Sequence, residues 1–159
     1  MTDASSTLPV ELRCFEDYIP GTVYECGSVT VDETEVIDFG RRFDPQPFHT
    51  DPRAAKQTIF GGLIASGWHT AGLMMRLYIQ HYLSPAASLA SPGIDELRWL
   101  KPVRPGDVLS VRATVLKANR SRSKPDRGMV HTFVEVSNQR GEMVMTMKPM
   151  NLLRCRSTD

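Results

Sequence analysis

The chain has 159 residues, 41% of them hydrophobic and 23% charged, which suits one folded unit with a sizeable core and leaves little for a second. Nineteen basic against eighteen acidic side chains give a formal charge of +1, so no global field draws the protein to nucleic acid or an anionic membrane. Met1 to Pro9 lack the apolar stretch of a signal peptide, no window reaches the ~18 apolar residues of a membrane span, and Cys14, Cys26 and Cys155 lack metal or redox spacing. A cytoplasmic protein with reduced thiols and no metal is therefore expected, with residues 1–15 as an extended N-terminal segment of a single 1–159 domain.

Residues 22–31 are rich in β-branched side chains and predict a strand. Asp32 followed by Glu35 resembles a capping box and predicts a helix to about residue 42, with Val36, Ile37 and Phe39 facing inward. Three prolines between Asp44 and Pro52 predict a stiff irregular segment, with Asp51 capping a short helix that contains Ala54 and Ala55. Over residues 63–83, Leu63, Ile64, Gly67, Ala71, Met74, Leu77 and Tyr78 recur at spacings of three and four, predicting a long helix enclosed on several sides.

Beyond Pro85 the period changes to two. Leu109, Val111, Ala113 and Val115, then Val130, Thr132, Val134 and Val136, alternate with mostly polar residues, as half-buried antiparallel strands do. Asn138-Gln139-Arg140-Gly141 has the chemistry of a hairpin turn, and residues 143–152 supply the returning strand, with Met143, Met145 and Met147 on one face. A long helix with about five strands predicts an α+β fold in which a curved antiparallel sheet wraps the helix.

The residues with chemical potential cluster before that helix. Asp44 and His49 lie five apart, a carboxylate and an imidazole that together can hold and deprotonate one water. Phe60-Gly61-Gly62-Leu63-Ile64-Ala65-Ser66-Gly67 brings small residues to a helix start, where a backbone N–H can meet a substrate oxygen. Asp44 also suits a turn cap and His49 a structural histidine, and Gly67 is equally suited to close packing. His69 reads as a core histidine bonded to a carbonyl, and Trp68 and Trp99 read as packing residues that are also able to line an acyl pocket.

Asp44-Pro45-Gln46-Pro47-Phe48-His49 resembles the Asp-x-Asn-Pro-x-His signature of the MaoC-like dehydratases, the R-specific enoyl-CoA hydratases of hot-dog fold. Phe60 to Gly67 looks like that family's entry to its central helix, and residues 97–107 look like its strand, proline turn and Gly-Asp. Gln46 replaces the signature's asparagine, Phe43 stands where glycine often precedes the aspartate, and Ser66 stands where histidine is frequent.

The resemblance implies that Asp44 and His49 hold the catalytic water and that the Gly67 N–H stabilises the thioester oxygen. It also implies R stereochemistry, an acyl-CoA substrate with no further cofactor, and a homodimer or higher homo-oligomer. Gln46, Gly62, Ser66 and Trp68 are expected to contact substrate. Arg122 and Lys124, in the basic run 119–127, are expected either to hold coenzyme A phosphates or to be a solvated hairpin loop. The same carboxylate, water and N–H also suit an acyl-CoA thioesterase, and a module that binds acyl-CoA without turnover is a third reading.

Overall fold

The computed structural model describes residues 8–157. Its strands are β1 (Val23–Thr30), β2 (Ser88–Trp99), β3 (Val108–Arg120), β4 (Arg127–Ser137) and β5 (Met143–Arg154), and its helices are α1 (Glu33–Phe43), α2 (Pro47–Thr50), α3 (Pro52–Lys56) and α4 (Gly67–His81). The strands form one antiparallel sheet in the order β1-β3-β4-β5-β2, and α4 lies against it in the hot-dog arrangement.

The alternation expected of the later strands holds residue by residue. Leu109, Val111, Ala113 and Val115 of β3 and Val130, Thr132, Val134 and Val136 of β4 are buried, and they meet Leu73, Met74, Leu77 and Tyr78 of α4 in one core. Each large apolar side chain so buried contributes about 1.5–3 kcal/mol. In β5 an irregular register beside Ser137 leaves Met143 half-buried and buries Val144 next to Met145, so the methionine face begins one pair later than expected. Gly141, at φ +74°, closes the β4–β5 turn, and its N–H donates to the Asn138 carbonyl at 3.0 Å.

Three expectations need correction. Residues 1–7 of the N-terminal segment lie outside the described residues, and the rest is extended only in part: Arg13 and Cys14 are extended, but 10–12 form a 3-10 turn, a second begins at Phe15, and Arg13 is buried with its guanidinium donating to the His81 and Tyr82 carbonyls. The long helix starts at Gly67 rather than Leu63, because the Ile64 and Ala65 N–H groups donate to the Phe48 and Val103 carbonyls at 3.0 and 2.8 Å and hold 63–66 outside it. Nor is α4 enclosed on several sides, since Trp68, Gly72, Met75 and Arg76 form an exposed stripe along it.

Candidate active site

Four local devices bring the site together. Asp32 caps α1 by accepting the Glu35 N–H at 2.9 Å, and α1 ends at Asp44, whose N–H donates to the Gly40 carbonyl at 2.9 Å. Pro47 then opens α2 at its first position, where a missing N–H costs nothing, so His49 stands on a single helical turn rather than on an irregular segment. Asp51 caps α3 as expected, accepting the Arg53 and Ala54 N–H groups at 2.9 and 3.3 Å. Ser66 caps α4, its Oγ accepting the Trp68 N–H at 3.3 Å.

Asp44 and His49 meet. His49 Nε2 lies 3.1 Å from Asp44 Oδ2, and His49 Nδ1 lies 2.8 Å from the Ile64 carbonyl. A carbonyl only accepts, so Nδ1 carries hydrogen, and the Nε2 to carboxylate contact then requires one further proton between ring and carboxyl. The Asp44 carboxylate also accepts Gln46 Nε2 on Oδ1 at 2.7 Å and Ser66 Oγ on Oδ2 at 2.7 Å. Burial pushes this carboxyl up, but the hydrogen bonds from Gln46 and Ser66 and the His49 ring outweigh it and hold it below the ordinary carboxylate range. Asp44 therefore stands as a carboxylate facing the His49 ring. Oδ1, with Gln46 as its sole protein donor among the described residues, keeps room to accept a water.

His49, 5% exposed, forms part of the wall of a cavity of about 270 Å³. Ile64, Ala65, Thr70 and Val103 line its buried part, and Phe60, Gly67, Trp99 and Lys101 complete it. Gly67 is the first residue of α4, so its N–H has no carbonyl within the helix to reach. It is also a close-packing glycine, since a Cβ there would run into the Trp99 indole.

The other expected contacts divide. Gln46 and Ser66 turn to Asp44 rather than into the cavity, because a residue two along and a helix cap both reach that carboxylate. Trp68 is 58% exposed and packs edge-on outside Trp99 at 5.0 Å, and half-buried Gly62 faces Arg104; neither lines the cavity. Arg122 and Lys124 sit on the β3–β4 hairpin, at the far end of the 13-residue β3, on the order of 40 Å along the strand from its start near Val103. They do not join this cavity within one chain. His69 is buried against a carboxylate, Glu35 Oε1 at 3.4 Å, rather than bonded to a carbonyl.

Gly40 is a contributor with no sequence signal. A Cβ there would stand 2.9 Å from the His49 carbonyl oxygen and 3.0 Å from its Cβ, so only a bare α-carbon lets α1 lie against α2. Gly40→Ala is expected to destabilise by about 1–3 kcal/mol through overpacking and to shift His49 from Asp44, seen as a lowered melting temperature and an altered histidine resonance by NMR.

A family model described as a MaoC-like domain matches residues 16–138. Among solved structures, the MaoC-like dehydratase from Rhodospirillum rubrum is 40% identical with a TM-score of 0.85, covering 91% of this chain and 99% of that one. The uncharacterized protein YdeM of Bacillus subtilis is 27% identical over 125 residues, 79% of this chain and 87% of that protein. Mesaconyl-CoA hydratase of Cereibacter sphaeroides is 37% identical over 71 residues, 45% of this chain and a 20% share of that longer protein. Among the described residues, no helix is long and apolar enough to cross a membrane.

Proposed function

The chain belongs to the MaoC-like family, and from that premise we propose that it reversibly hydrates a 2-enoyl-CoA thioester to an R-3-hydroxyacyl-CoA, using Asp44 and His49 to activate water. The observation that carries this reading is the 3.1 Å contact of the Asp44 carboxylate with His49, which itself forms part of the wall of a mostly apolar cavity edged by the first residue of a helix. The names of the Rhodospirillum and Cereibacter relatives, a dehydratase and a hydratase, support a hydro-lyase. R stereochemistry rests on the family resemblance, and coenzyme A enters as part of the substrate.

The chemistry balances with the protons at hand. Water bound to Asp44 attacks the β-carbon and gives its proton to the carboxylate, the proton shared with His49 leaves from Nε2 to the α-carbon, and the Gly67 N–H stabilises the thioester oxygen as it gains charge. Passage of the proton from Asp44 to His49 across their 3.1 Å contact restores the starting pair. Dehydration runs the same steps in reverse.

Incubation with crotonyl-CoA and longer, branched or dicarboxylic enoyl-CoAs tests this reading, following loss of the conjugated-thioester absorbance beside thiol release. Absorbance loss without thiol is expected. Thiol release would assign the chain to hydrolysis, and silence across the panel would remove the hydratase reading.

The pH dependence follows from Asp44. A carboxyl held below its ordinary range contributes stability that is present above that range and lost as pH falls through the lowered value, and it keeps water activation working into mildly acidic solution. Gln46→Leu removes the donor to Oδ1, so the acid limb of kcat/KM is expected to move to higher pH. An unchanged acid limb in a pH–rate profile of this variant would show that Gln46 does not tune the carboxylate.

A further inference from the structure

We propose that Trp99 sets the acyl-chain specificity of the cavity by refusing longer enoyl chains, an inference that rests on the hydratase reading for its turnover arm alone. The cavity has a volume of about 270 Å³, and its deeper wall is fixed. Ile64, Ala65, Thr70 and Val103 belong to the buried framework and cannot retreat without opening the core.

Trp99 is, with Phe60, one of the two aromatic residues other than His49 in the wall, and it is the one that also packs on Gly67. It is 44% exposed, yet it is held at three points. Its Nε1–H donates to the Gly67 carbonyl at 2.9 Å, its ring covers the Gly67 α-carbon where a Cβ would otherwise stand, and Trp68 packs edge-on against it at 5.0 Å. The backbone that follows is also fixed, since the Leu100 N–H donates to the Val144 carbonyl at 2.8 Å. A ring held in this way excludes longer chains, whereas a free side chain at the rim would swing aside. In an apolar pocket each methylene admitted or refused changes discrimination by about 10- to 200-fold.

The test compares wild type, Trp99→Phe and Trp99→Leu on 2-enoyl-CoAs of four, six, eight and ten carbons, with binding of butyryl-CoA and octanoyl-CoA measured by calorimetry in parallel. Wild type is expected to favour four and six carbons over eight and ten by at least about tenfold in kcat/KM. Trp99→Leu is expected to reduce that preference by about tenfold or more, while Trp99→Phe, which keeps a ring but loses the bond to Gly67, retains most of it. An equal shift in both variants would trace the effect to the Gly67 hydrogen bond and overturn the proposal, as would an unchanged chain-length profile in Trp99→Leu. If no enoyl-CoA is hydrated but wild type alone discriminates butyryl-CoA from octanoyl-CoA, the hydratase reading fails and the assignment of Trp99 stands. Should Trp99→Leu fail to fold, Trp99→Met supplies the same loss of the ring with a longer side chain.

Discussion

Asp44→Asn is expected to lower kcat for crotonyl-CoA hydration by about 10²–10⁴ with little change in KM and no loss of the folded state. The amide is the same size as the carboxylate and still accepts from Ser66 Oγ, so the helix caps and the turn survive. What disappears is the acceptor for the proton that water gives up, together with the negative charge 3.1 Å from His49 Nε2. Both halves of the reaction fail at once, and His49→Ala is expected to lose a similar factor rather than an additional one, because residues acting as a unit are not additive. Activities of the two single variants and the double variant, read beside their circular dichroism, decide it. A double variant slower by the product of the two single factors would mean that Asp44 and His49 do not act as one pair.

Much of this was legible in the sequence where a single periodicity ruled. β3 and β4 alternate cleanly because one face of each meets α4 and the other does not, and the capping chemistry of Asp32 and Asp51 is local. β2 was not legible from its pattern. It is an edge strand with little burial on either face, it contains Pro92 and Gly93, and its pairing with β5 shifts register three times. The start of α4 was misplaced because Leu63, Ile64 and Ala65 are as apolar as a helix face, while their backbone is tied to Phe48 and Val103, residues that no local rule connects. For the site, spacing marked Asp44 and His49 and the family resemblance marked Gly67, but the His49 tautomer depends on the Ile64 carbonyl, 15 residues on. The basic hairpin left two readings, a coenzyme partner or a solvated loop, because charge composition carries no distance.

Gly67→Ala is expected to reduce kcat/KM by about 10², although the new residue keeps its N–H. The added methyl meets the Trp99 indole directly, and the ring has no free retreat, being bonded to the Gly67 carbonyl and packed on Trp68. Either the indole moves into the cavity or the first turn of α4 moves away from it, and a displacement on the order of 1 Å misaims the N–H that faces the thioester oxygen. The overpacking is expected to cost about 1–3 kcal/mol, a fall of roughly 2–12 °C in melting temperature for a chain of this size. Adding Trp99→Leu to Gly67→Ala separates the two consequences. The smaller side chain makes room for the methyl, so stability is expected to recover. If activity toward short enoyl-CoAs recovers with it, the lesion was steric and the N–H had only been misplaced. If stability returns and activity does not, the indole itself orients the substrate, and residue 67 is glycine because of Trp99 rather than because of the thioester oxygen.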